Sequence, residues 1–137
     1  MKRIILLAFL CTTTLVMAQR INHVQEAIAN YDYEAALTLI AKEKPTIPLL
    51  LQKGKAQRGL GMNTEALSTY QEIITNDTAN TRAYIEAAEC CRSLAKYQQA
   101  LKYYEQALDL NPENKYVRIQ YISLLLSQQK FSEALGE

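Results

Sequence analysis

An all-α solenoid of stacked antiparallel helix pairs is the fold that this 137-residue sequence predicts, and three observations predict it. Ala66-Leu67, Ala100-Leu101 and Ala134-Leu135 recur at a step of 34 residues. Around each pair the segments align without a gap: GMNTEALSTYQEIITNDTAN at 61–80 lies over AKYQQALKYYEQALDLNPEN at 95–114, and QKFSEAL at 129–135 lies over the front of both. Apolar residues between the breakers follow helical spacing, and no segment alternates with period two, so no strand is expected. A fixed period of this length marks stacked helix-turn-helix units, each of which hides one face against its neighbour.

The first eighteen residues read as a processing segment. Lys2 and Arg3 give a positive start, Ile4 to Leu10 and Leu15-Val16 an apolar run, and Val16-Met17-Ala18 a cleavage-like end, which is the pattern of a secretory signal. The run is broken by Thr12, Thr13 and Thr14 and is shorter than the roughly 20 residues that span a bilayer. Cys11 raises lipid attachment as an alternative, but Ala8-Phe9-Leu10 lacks the small residue carried just before a lipid-modified cysteine. The expected mature chain starts at Gln19, is exported to the periplasm or beyond, and inserts in no membrane after cleavage.

Without Lys2 and Arg3, thirteen basic residues face fourteen acidic ones. This near-neutral balance leaves no basic stripe for nucleic acid or anionic lipid. Two cysteines remain, Cys90 and Cys91. Adjacent positions on a helix point about 100° apart, so the two cannot close a disulfide within it. No histidine or third cysteine lies nearby to complete a metal site. Two small buried packing residues are the simpler reading.

Helices are expected at 21–30, 33–43, 47–60, 63–76, 81–94, 97–111 and 115–129, with an eighth opening at Phe131. Tyr84, Ala87, Ala88 and Cys91 form one face of the fifth, at i, i+3, i+4 and i+7. Ala100, Leu101, Tyr104, Ala107 and Leu108 do the same for the sixth, which Asn111-Pro112 ends because proline disfavours helical geometry in the residue before it.

These residues resemble the tetratricopeptide repeat family. Segment 81–114 carries its pattern through Tyr84, Ala88, Ala100, Tyr104, Ala107 and Pro112, departing at Ala87, where leucine is usual, and at Cys91, where tyrosine is preferred. Segment 47–80 keeps Gly54, Ala66 and Tyr70 but has Leu50, Ile73 and Thr78 where an aromatic, an alanine and a proline are expected. Segment 115–137 is a truncated unit retaining Phe131, Ala134 and Leu135. Upstream, Ala36-Leu37 precedes Ala66-Leu67 by 30 residues, which makes 19–46 a divergent, shortened helix pair. The resemblance implies a right-handed superhelix and an interaction role.

It also implies a partner-binding groove lined by the first helix of each unit. The matching positions are Leu51, Gln52, Lys55 and Arg58, then Arg82, Ile85, Glu86, Glu89 and Arg92, then Tyr116, Ile119, Gln120 and Ser123. Leu51, Ile85 and Ile119 would anchor apolar groups of a peptide or helix, and Lys55, Arg58 and Arg92 would fix acidic ones. Family members that grip the acidic carboxyl end of chaperones use a clamp of lysine, arginine and asparagine. Here Glu86 and Glu89 would repel that carboxylate, which disfavours the chaperone-adaptor role.

Nothing points to an enzyme or a cofactor. His23 is the only histidine and stands without a cysteine or serine motif, and no glycine-rich phosphate loop or metal-spaced cluster occurs. Among nine tyrosines, Tyr70, Tyr84 and Tyr104 fall on core positions. Tyr97 aligns with Phe131 and Tyr33 and is expected to pack, which leaves Tyr103 and Tyr116 for contact. Asp77-Thr78-Ala79 resembles an O-glycosylation site, although an aspartate helping a turn before the next helix is the plainer reading.

The sequence therefore predicts an exported interaction scaffold that assists assembly of an envelope complex. The alternative is a rigid N-terminal spacer of a longer protein whose activity lies beyond Glu137. Solenoids need a polar terminal cap. With Ile119, Ile122 and Leu126 expected to be partly bare, continuation of the native chain, docking of the last helix on another chain and self-association through that face all stay open.

The alanines at the repeat step should mark the closest helix approach, where a larger side chain costs roughly 1–3 kcal/mol. Ala100→Leu should therefore lower the thermal midpoint more than Ala95→Leu. Equal midpoints in a circular-dichroism melt would overturn the assignment.

Overall fold

The computed structural model describes residues 18–128. The signal segment, apart from Ala18, and the helix expected from Phe131 lie outside the described residues. Among those described there are seven helices and no strand: α1 over 18–29, α2 Tyr33–Ile40, α3 Ile47–Gly59, α4 Asn63–Asn76, α5 Thr81–Ser93, α6 Tyr97–Leu110 and α7 Lys115–Ser127. The chain divides into two compact units between Leu60 and Gly61. The division falls inside the 47–80 repeat, so that α3 belongs with α1 and α2, and α4 opens the second unit.

Side-chain caps recur at the repeat step. Thr46, Asn80 and Asn114 are the N-caps of α3, α5 and α7, and each accepts a hydrogen bond from the backbone N–H three residues on, in Leu49, Ala83 and Val117. Such a cap satisfies one of the donors that a helix start leaves unpaired, and is worth about 1 kcal/mol. Asp32 does the same for α2 through Ala35 N at 3.1 Å. At the α4–α5 turn Asp77 accepts from Ala79 N at 3.2 Å and from Asn80 Nδ2 at 2.9 Å, the turn-helper role expected of it.

One helix is shorter than its apolar pattern suggests. α2 stops at Ile40 instead of 43, because Lys42 N donates to Leu39 O and Glu43 N to Ile40 O, three residues back. The last turn tightens, and Pro45 then disfavours helical geometry at Lys44.

In the first unit Val24 and Ile28 of α1, Ala36 and Ile40 of α2, and Leu49 and Ala56 of α3 form the core. Arg20 Nη1 donates to Glu43 Oε1 at 2.6 Å, tying the start of α1 to the turn after α2. Gly59 lets the end of α3 close on the ring of Tyr33, which a Cβ at that position would strike.

In the second unit α5 packs against both α4 and α6, and α6 packs against α7. Ala66, Ala87, Ala88, Ala100 and Ala107 have no exposed surface, and Tyr70 and Tyr104 fill the space beside them. Cys90 and Cys91 are free and buried. Burial pushes the Cys91 thiol up, against a smaller opposing pull from Lys96, so it stays protonated and a poor nucleophile near neutral pH.

The turns after α1, α3 and α5 share one backbone device. Tyr31, Gly61 and Ala95 occupy equivalent places and all have positive φ, at 60°, 75° and 57°. At Tyr31 and Ala95 the following N–H closes a six-residue loop, Asp32 N to Ala27 O and Lys96 N to Cys91 O, both at 2.8 Å, which satisfies a carbonyl at the helix end. Only Gly61 meets this conformation without steric cost.

A Cβ at Gly61 would meet nothing within 4 Å, so replacement there tests the backbone alone. Gly61→Ala should lower stability in urea unfolding by roughly 1 kcal/mol. Ala95→Gly, which relieves the same conformation while loosening the unfolded chain, should leave stability unchanged or raise it by up to about 0.5 kcal/mol.

Candidate interaction face

The residues predicted to line a groove fall on α3 in the first unit and on α5 and α7 in the second. On α3, Leu51, Gln52 and Arg58 are half-buried and Lys55 is exposed, while Leu49, Leu50, Gly54, Ala56 and Gln57 turn inward. On α5 and α7 four of the predicted residues are drawn into a polar network.

Glu89 of α5 is its centre. Its Oε1 accepts from the Tyr104 hydroxyl of α6 at 2.6 Å and from the Tyr116 hydroxyl of α7 at 3.1 Å, and its Oε2 faces Arg92 Nη1 at 3.4 Å. Arg92 Nη1 also donates to Gln120 Oε1 of α7 at 2.6 Å and to the Tyr104 hydroxyl at 3.4 Å. Four of the thirteen predicted residues, Glu89, Arg92, Tyr116 and Gln120, thus meet around a core tyrosine. The Glu89 side chain is 16% exposed and that of Arg92 38%, so the pair is screened less than a surface ion pair. Arg82 and Glu86 form a looser pair at 4.0 Å one turn earlier.

This geometry corrects three expectations. Arg92 is not a free cation waiting for a partner's acid, because its Nη1 already serves a carboxylate and an amide oxygen. Tyr103 is half-buried and already engaged: its ring lies 6.3 Å from that of Tyr84, and its hydroxyl accepts from Gln71 Nε2 of α4 at 3.0 Å. Tyr97 is 38% exposed instead of packed, since it opens α6 at the rim of a cleft of about 480 Å³ shared with Glu89, Arg92, Ser93, Leu124, Ser127 and Gln128. Tyr116, 52% exposed, and Ile119, 63% exposed, are the apolar groups most open on this face, and Ile85 on α5 is half-buried.

Sequence reasoning missed the hydroxyl of Tyr104, read only as a packing ring, and Tyr121, whose hydroxyl donates to Glu105 Oε1 at 2.8 Å and ties α7 to α6. The opposite charges of Glu89 and Arg92, three residues apart on a helix, were the available signal for the network. His23 is exposed on α1, with Nδ1 at 3.8 Å from Glu26. Among the described residues no group of three metal-ligating side chains occurs, and no helix is long and apolar enough to cross a membrane.

A tetratricopeptide repeat model matches residues 92–136. Human tetratricopeptide repeat protein 6 is 30% identical over 89 residues, which are 65% of this chain and 16% of that protein. The chain is similar to tetratricopeptide repeat proteins in sequence and in fold. The chain spans about a sixth of the length of that human relative. MamA from Desulfovibrio magneticus superposes with a TM-score of 0.78 at 16% identity, over 85% of this chain and 68% of that one. PcrH, solved in complex with the chaperone binding region of PopB, superposes with a TM-score of 0.71 at 18% identity, over 80% and 94%. The shared fold is the all-α tetratricopeptide solenoid, an architecture of protein–protein interaction scaffolds, and the family is generally non-enzymatic.

The network gives this repeat protein a pH signature. Burial, then the hydrogen bond to Glu89, holds the Tyr104 phenol well above the usual value of 10.0, and burial, then the charge of Glu89, raises Tyr116 too. The unfolded chain releases these protons at lower pH than the folded one does. Their contribution is therefore complete below pH 10 and is lost as pH rises through the raised folded values. Tyr104→Phe should cost about 1 kcal/mol at neutral pH. It should also flatten the alkaline fall of the thermal midpoint, and an unchanged fall would refute the assignment.

Proposed function

We propose that this chain is an exported scaffold that holds an extended segment or a helix of another protein on the α5–α7 face, and that it thereby helps to assemble an envelope complex. The observation that carries this reading is the Glu89 junction, which joins α5, α6 and α7 while Tyr116 and Ile119 stay open to solvent. A face whose neighbours are already fixed loses little further freedom on binding, so more of the contact energy becomes affinity. Ile85, one turn before Glu89 on α5, and Ile119, one turn after Tyr116 on α7, supply apolar anchors.

Two further points support the reading. PcrH, which has the same fold, takes a segment of another protein. The positive start at Lys2-Arg3, the apolar run after it and the small residue at Ala18 favour export to the periplasm or the exterior.

Site-specific photo-crosslinking from position 119 in intact cells tests the function, with exposed Gln106 of α6 as the control position. A discrete adduct with another envelope protein is expected from 119 and not from 106. The same pattern from both positions, or an adduct only with a second copy of this chain, would overturn the proposal.

A further inference from the structure

The charged residues of α5 and the apolar residues beside them together bear on what kind of segment this face accepts. α5 carries two cations and two anions, and they pair among themselves: Arg82 with Glu86 at 4.0 Å, and Arg92 with Glu89 at 3.4 Å. The Glu89 carboxylate is further occupied by two tyrosine hydroxyls, and Arg92 by the Gln120 amide oxygen. On α7, Arg118 Nη2 donates to Pro112 O at 2.9 Å. Lys115 stands at the first position of that helix, outside the stretch from Tyr116 to Ser123.

We infer that the face recognises an apolar, uncharged stretch of its partner, not an acidic or basic motif; this rests on the scaffold reading above. A ligand carboxylate approaching Arg92 would stand beside the Glu89 carboxylate, and a ligand cation approaching Glu89 would stand beside the Arg92 guanidinium. Either approach sets a like charge against the incoming one and adds the cost of stripping water from it. An apolar side chain meets no such competition. Burying Ile119 removes a large apolar side chain from water, and Tyr116 adds a rigid ring whose hydroxyl is already satisfied by Glu89. The polar network thus supports the contact surface and supplies little of the attraction, so binding should depend weakly on salt.

The experiment is a selection of a phage-displayed random peptide library on the full chain, followed by titration of the enriched peptides. Peptides rich in apolar residues with net charge near zero are expected. Their affinity should change by less than about threefold between about 0.05 and about 0.5 M salt. It should fall by about tenfold or more in Ile119→Asp, a change at an exposed site that leaves the fold intact. Glu89→Gln, checked for retained helicity, should release Arg92 and shift the selected peptides toward aspartate and glutamate.

An acidic or basic consensus from the wild-type chain that is still lost in Ile119→Asp would overturn this inference and leave the scaffold face standing. An unshifted selection by a folded Glu89→Gln protein would do the same. Peptides indifferent to Ile119→Asp, or no enrichment at all, would overturn both.

Discussion

The distance at which helices meet in the second unit is set by alanine, and the remaining features of that unit depend on it. Ala83, Ala87 and Ala88 of α5, and Ala100 and Ala107 of α6, have no exposed surface. Side chains this small bring two backbones together and contribute little apolar area themselves, so stability comes from the large residues that close over the contact: Tyr84, Leu101 and Tyr104. Close approach also decides the chemistry of the face. Only with α6 drawn against α5 does the Tyr104 ring, anchored in the core, bring its hydroxyl within 2.6 Å of Glu89. A bulkier residue at position 100 would disturb both the packing and the network.

Most of the fold was legible in the sequence, because each helix announces itself locally. Apolar spacing placed every described helix to within a few residues. The Ala-Leu pairs fixed the repeat step, and the capping residues Thr46, Asn80 and Asn114 obey the same step although the packing pattern alone did not single them out. The end of α2 was less legible, since its tightened last turn is a matter of which carbonyl each N–H reaches, and Ala41 and Lys42 fit a helix as well as a turn.

The candidate face was legible in membership but not in state. Position in the repeat indicated that Glu89, Arg92, Tyr116 and Gln120 stand on one face. That they bond to one another follows from tertiary placement, since their partners lie up to 28 residues apart in sequence. The tyrosines show the same limit. A repeat pattern records where a ring packs, as for Tyr70 and Tyr104, and is silent on where a hydroxyl points. Tyr103 and Tyr104, neighbours in the chain, therefore ended up bonded to different helices, one to α4 and the other to α5.

Repeat arrays owe their cooperativity to the terms that bind one unit to the next; where these are weak, the ends open while the middle stays folded. Packing in the second unit runs chiefly between helices adjacent in sequence, and the bonds from Glu89 and Arg92 to Tyr116 and Gln120 reach past α6 to join α5 directly to α7. That polar bridge makes the opening of α7 an event that α5 also registers. A segment seated on α7 would thus steady helices that it never touches, and the reach of its influence would be set by one carboxylate and the guanidinium beside it.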